Sequence, residues 1–108
     1  MKKPRLYYFA YGANTNLDAM QRRCPRATAH GTARLAGHRL VFRGVADVER
    51  DKKAEVFGAV WTITRDCEAA LDRFEGYPNL YIKKYIEGTF HKRPARFMLY
   101  VMRYGGPL

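Results

Sequence analysis

The apolar run Leu6-Tyr7-Tyr8-Phe9-Ala10 predicts a short buried strand over Arg5–Ala10. The run breaks at Gly12, passes through small and polar residues, and opens a short helix at Leu17 that extends to about Arg23. Asn16 or Thr15 supplies the N-cap, Asp18 suits the first turn, and Pro25 ends the helix. A strand is expected within Ala33 to Phe42, interrupted around Gly37. Two more follow near Gly44–Val48 and Val56–Ile63, joined by a charged loop from Glu49 to Lys53. Val56, Gly58, Val60 and Thr62 alternate with Phe57, Ala59, Trp61 and Ile63, so both faces are partly apolar, as in a central strand of a curved sheet.

Thr64 then caps a second helix, with Asp66 and Glu68 in its first turn. Cys67, Ala70, Leu71 and Phe74 recur at helical spacing and predict its core-facing stripe, and Gly76 and Pro78 stop it. Tyr81 to Phe90 alternates as a strand, and Arg96 to Tyr104 reads as the last one. Short strands with two helices give a mixed α+β domain built on a small, strongly curved sheet or barrel. At 108 residues the chain is expected to be one domain, residues 1–108, large enough for a single core.

Composition changes this picture little. Hydrophobic residues make up 47%, with eight Tyr and six Phe, which suits a folded chain rather than a disordered one. No apolar run approaches the length of a membrane span, and the N-terminal MKKPRLYYFAYG lacks an adequate signal-peptide core, so the expected location is the cytoplasm. Cys24 and Cys67 are too few for a disulfide scaffold and read as buried or incidental thiols. His30, His38 and His91 lack metal-ligand spacing, and no metal is expected.

The formal charge of +10 is unevenly placed: residues 1–54 hold 12 Lys/Arg against 4 Asp/Glu, and residues 55–108 hold 8 against 6. A basic front half either attracts an anionic substrate, acidic partner or nucleic acid, or is simply a solvated surface. No recognised nucleic-acid motif accompanies it, which favours the solvated surface.

Two stretches carry candidate chemistry. In YFAYGANTNL, a strand feeding a glycine turn and a helix start either only joins two elements or presents bare backbone N–H groups to an anion. In LDRFEGYPNLY, Glu75 ends a helix, where a carboxylate faces the negative end of the macrodipole at a cost of about 0.3–1 kcal/mol. It is either a surface residue that tolerates the position, or it points among Tyr77, Leu80 and Tyr81, where desolvation raises its pKa toward that of a general acid/base.

Together, YFAYGANTNL and LDRFEGYPNLYIKKYI closely resemble the gamma-glutamylcyclotransferase superfamily, with its Y-G-(S/T)-(N/L) loop after the first strand and its later E-G-x-P-x-x-Y-type segment. The resemblance spans most of the chain. It implies an α+β fold whose mixed, strongly curved sheet closes into a β-barrel with two short flanking helices. It also implies an enzyme of the ring-closing lyase or acyltransferase type, without metal or organic cofactor. Carried over, Tyr11, Gly12, Ala13 and Asn14 cradle the gamma-glutamyl group, Tyr81 joins them in binding substrate, and Glu75 is the catalytic acid/base. The implied reaction is attack of the substrate's alpha-amine on its own gamma-carbonyl, releasing 5-oxoproline and an amine, amino acid or peptide remainder. Ala13 stands where many members have Ser or Thr, which removes one hydroxyl from the loop; many relatives also continue beyond RYGGPL with another helix and a tyrosine beside the pocket, so the pocket is expected to be more open or completed by a second subunit.

The implied partners are a small gamma-glutamyl substrate and no membrane, with the chain acting as a monomer or homodimer. Two rivals stay open: a non-catalytic small-molecule-binding module of the same fold, and a basic nucleic-acid-binding barrel using Arg/Lys and exposed Tyr.

Overall fold

The structure, a computed structural model, describes residues 5–103. Strand β1 (Arg5–Ala10) runs where the apolar run sets it, between two other strands. It is followed by a 3-10 turn (Ala13–Thr15) and helix α1 (Leu17–Arg23). Asn16 caps α1, its side chain accepting from the Ala19 amide at 3.0 Å. Strands β2 (Thr28–Phe42) and β3 (Ala46–Thr62) precede helix α2 (Arg65–Glu75), and β4 (Tyr81–Phe90) and β5 (Arg93–Met102) complete the sheet. The last strand was expected to reach Tyr104, which lies outside the described residues.

The sheet order is β2-β3-β1-β5-β4. All neighbouring pairs are antiparallel except β1 with β5, where Tyr7 lies beside Phe97 and Tyr8 beside Met98. Because side chains alternate along a strand, β1 serves two cores. Tyr7 and Phe9 enter one cluster with Val60, Phe97 and Leu99, a cluster that draws on all five strands as the sheet curls. Tyr8 and Ala10 enter the other, where Met20 of α1 and Leu71 of α2 pack over Trp61 and Met98. Gly58 permits the close approach of β3 to β1, because a Cβ there would lie 2.6 Å from both the Ala10 carbonyl oxygen and the Phe9 ring.

The curved sheet does not close into a β-barrel. Closure needs continuous hydrogen bonding around the ring, whereas β2 and β4 are the two free edges. Register shifts between Ala29 and Thr32 and between Ala36 and His38 bend β2. A cleft of about 650 Å³, lined by Ala36, Gly37 and His38 on one side and Lys84, Tyr85 and Ile86 on the other, keeps the edges apart.

Three further expectations are corrected. The charged stretch Glu49 to Lys53 is not a loop between two strands but part of one long β3, where Glu49 pairs with Arg39 and Arg50 with His38 across β2. Cross-strand ion pairing of Arg39 with Glu49, and pairing of Arg43 in the following turn with Glu49 at 2.9 Å, lets charged residues hold an extended strand. Phe74 leaves the core stripe of α2 and is 47% exposed, its ring covered instead by the Arg23 guanidinium 3.4 Å from the centroid. Cys24 and Cys67 are not independent thiols but a disulfide, Cα atoms 5.1 Å apart, joining the C-cap of α1 to the first turn of α2.

Candidate active site

The end of β1, the 3-10 turn, the end of α2 and the start of β4 meet around a cavity of about 290 Å³. Tyr11, Gly12, Ala13, Asn14, Glu75 and Tyr81, all six residues singled out from the sequence, line it. So do Tyr8, Phe74 and Tyr100, which the sequence reading did not assign to a site.

Local turn chemistry delivers Glu75 to this place. Thr64 opens α2 by accepting from the Cys67 amide at 3.2 Å. Gly76 closes it in the left-handed region at φ 66°, and the Tyr77 amide bonds back to the Asp72 carbonyl at 2.9 Å. The Asn79 and Leu80 amides both reach the Gly76 carbonyl at 2.8 Å, and the Tyr77–Pro78 peptide is cis. The bonds back to Asp72 and Gly76 reverse the chain within a few residues, and Glu75 and Tyr81 line the same cavity.

Two polar clusters brace the walls. Lys83 of β4 binds Glu68 at 2.6 Å and Asp72 at 3.1 Å, and the Tyr100 hydroxyl donates to Asp72 at 2.6 Å, tying α2 to β4 and β5. Burial alone would lower the Lys83 pKa, but bonding to the two carboxylates raises it. On the other side, buried Asp47 accepts from Arg43 and from the Met102 amide, each at 3.0 Å. The Tyr81 hydroxyl donates to the adjacent Ala46 carbonyl at 2.5 Å. Burial pushes the Tyr81 pKa up to about 12, with Glu75 and Asp47 adding to the effect.

Half-buried Glu75 has its pKa raised, because burial penalises the carboxylate, while the nearby Arg23 guanidinium opposes the rise. In the same cavity, the first amides of the 3-10 turn have no intrahelical acceptor and belong to residues that line it. Ala13 contributes no hydroxyl, and that of Thr15 is spent on the Gly12 carbonyl at 2.8 Å. Asn14 is only 1% exposed and each polar atom of its side chain has a partner: Oδ1 accepts from Arg23, and Nδ2 donates to the Tyr8 hydroxyl at 3.0 Å. With the Asn14 side chain buried and held by these two bonds, the backbone is the turn's more accessible donor to a ligand. A carboxyl of raised pKa that shares an aromatic-walled cavity with the residues of a turn suits proton transfer at a group that develops negative charge.

Neither Tyr8 nor Tyr100 was legible as a site residue. Each sits in an apolar strand and reads as core until the cavity is seen. Among the described residues, no cluster of His, Cys, Asp or Glu could hold a metal ion, and no helix is long and apolar enough to cross a membrane.

Residues 8–107 match the family model described as gamma-glutamyl cyclotransferase, AIG2-like. A Bos taurus gamma-glutamylcyclotransferase is 31% identical over 81 residues, which cover 64% of this chain and 43% of that protein. A solved gamma-glutamyl cyclotransferase superimposes with a TM-score of 0.77 at 22% identity, over 90% of this chain and 66% of its own. A solved uncharacterized protein from Homo sapiens gives 0.79 at 26% identity, over 91% and 66%. The chain thus spans less than half of the bovine relative and just under two thirds of each solved one.

Proposed function

The chain belongs to the gamma-glutamyl cyclotransferase, AIG2-like family, and from that premise we propose that it releases 5-oxoproline from a gamma-glutamyl amine, amino acid or peptide. The observation that carries the reading is the position of Glu75, a carboxyl of raised pKa that lines one cavity together with Gly12, Ala13 and Asn14 of the turn.

An alpha-ammonium has no lone pair, so Glu75 first accepts its proton. The freed amine attacks the gamma-carbonyl carbon, forming the ring C–N bond and a tetrahedral oxyanion. Backbone N–H groups of the Gly12–Asn14 turn stabilise that charge. Collapse breaks the original C–N bond as Glu75 returns its proton to the leaving nitrogen; Glu75 then relays the second proton from the ring nitrogen, so 5-oxoproline keeps one N–H, the amine departs as an ammonium and Glu75 ends ionised. Tyr11 and Tyr81 wall the substrate and keep its chain folded, which brings amine and carbonyl together. Their hydroxyls are committed to the Tyr100 and Ala46 carbonyls, which fixes the rings.

The test is to incubate the protein and its Glu75→Gln variant with a panel of gamma-glutamyl amines, amino acids and peptides and to assay 5-oxoproline. Release by the wild type and not by the variant supports the reading, and the best substrate names its class. A second reading, a binding module without turnover, draws on Ala13, which brings no hydroxyl to the cavity. Gamma-glutamyl binding with no 5-oxoproline from either protein would favour it.

A further inference from the structure

Four tyrosines line the cavity, and they differ in what their hydroxyl protons do. Tyr11 donates to the Tyr100 carbonyl, Tyr81 to the Ala46 carbonyl, and Tyr100 to Asp72. Tyr8 alone is bonded as an acceptor, from Asn14 Nδ2, and among the described residues its own O–H has no acceptor. The side chain is 3% exposed. A buried donor without a partner calls for one, and the open space beside Tyr8 is the cavity that holds Glu75.

The direction of the Asn14–Tyr8 bond is not free to reverse. A guanidinium carries only donors, so the Asn14 edge that meets Arg23 must be Oδ1. That leaves Nδ2, which can only donate, against Tyr8. Arg23 is itself held in place by the Phe74 ring beneath it. The order Arg23 to Asn14 to Tyr8 thus forces the phenol oxygen to accept and leaves its proton for whatever enters the cavity.

We propose that Tyr8 is a further catalytic residue, whose hydroxyl donates a hydrogen bond to the substrate's gamma-carbonyl oxygen as that oxygen gains charge. Arg23, acting through Asn14, is the positioning residue that turns the hydroxyl toward it. The proposal rests on the cyclotransferase reading and adds a side-chain donor to the backbone amides. It also answers the absence of a loop hydroxyl at Ala13, since Tyr8 brings one from the neighbouring strand. Burial raises the phenol's pKa, so it stays protonated and able to donate at neutral pH.

The experiment compares 5-oxoproline release by the wild type, Tyr8→Phe, Asn14→Asp and the double variant, with thermal melts as a folding control. Tyr8→Phe deletes the proton. Asn14→Asp keeps the shape and the Arg23 contact but replaces the Nδ2 donor with an oxygen, so Tyr8 must donate to it and turn away from the cavity. Rates are taken on the alkaline plateau, where Glu75 is ionised in every protein. Each single variant is expected to lose about 10²-fold in kcat with KM little changed, as for removal of one oxyanion donor. The double variant is expected to lose no more than either alone, because both remove the same interaction. Wild-type kcat in either folded single variant, or losses that multiply, would overturn the role of Tyr8 and leave the cyclotransferase reading standing. Should Tyr8→Phe not fold, Asn14→Asp alone decides by the same criterion. Silence of the wild type itself would overturn both.

Discussion

Arg23 lays its guanidinium on the ring of Phe74, the residue before Glu75, without an ion pair to that carboxyl. The guanidinium lies over the Phe74 ring and bonds to Asn14, yet its charge still opposes the burial that raises the Glu75 pKa. The two residues come from different helices, which the Cys24–Cys67 bridge joins one residue beyond Arg23. The cation therefore favours the ionised carboxyl without being bonded to it.

As a base, Glu75 works only when ionised, so kcat/KM is expected to rise with pH through a pKa above the ordinary carboxylate range. Arg23→Met removes the opposing charge and is expected to move that acidic limb to higher pH. A pH–rate profile of both proteins checks this. A limb that stays put, or moves toward acid, would show that Arg23 does not tune Glu75.

The same carboxyl has a signature in stability. Its folded pKa lies above its unfolded one, so between the two values the folded state binds more protons. Its contribution to stability therefore falls as pH rises through that window. Glu75→Gln cannot ionise and is expected to remove this decline, as urea melts across the window would show. Parallel pH dependence in both proteins would contradict the burial of Glu75.

Gly76→Ala forces a Cβ into the left-handed region at φ 66°, with the Leu80 Cβ 3.3 Å away. The expected cost is about 1–2 kcal/mol of stability, read from denaturant midpoints. Because Gly76 sets the turn that carries Glu75, kcat should also fall. Unchanged stability would mean that the turn relaxes without strain.

Reduction of the Cys24–Cys67 bridge releases a loop closed over a sequence separation of 43. In the chain-entropy picture its removal costs about 2–4 kcal/mol. Urea melts with and without dithiothreitol, and of the doubly substituted Cys24→Ser/Cys67→Ser chain, are expected to agree on the loss. No change with reductant would mean that the bridge does not hold in solution.

The sequence made the elements legible where period and caps agree. Arg5–Ala10, Leu17–Arg23 and Tyr81–Phe90 lie where the pattern puts them, because an apolar run, an Asn cap and clean alternation each act locally. Glu49 to Lys53 reads as a loop from local charge, whereas its partners Arg39 across the ladder and Arg43 in the turn hold it extended. Barrel closure was misread for a similar reason: whether β2 and β4 meet depends on register shifts that local pattern does not encode. The disulfide needs two helix ends to be brought together, which spacing along the chain cannot announce. The two site motifs were visible as stretches, but Tyr8 and Arg23 emerge only once Asn14 is seen bridging them.

The most direct test is the time course of 5-oxoproline release from the best gamma-glutamyl substrate, wild type against Glu75→Gln, both shown to be folded. Loss of the acid/base is expected to slow release by about 10²- to 10⁴-fold while substrate still binds. Equal rates in the two proteins would contradict the assignment of Glu75 and, with it, the proposed chemistry of this cavity.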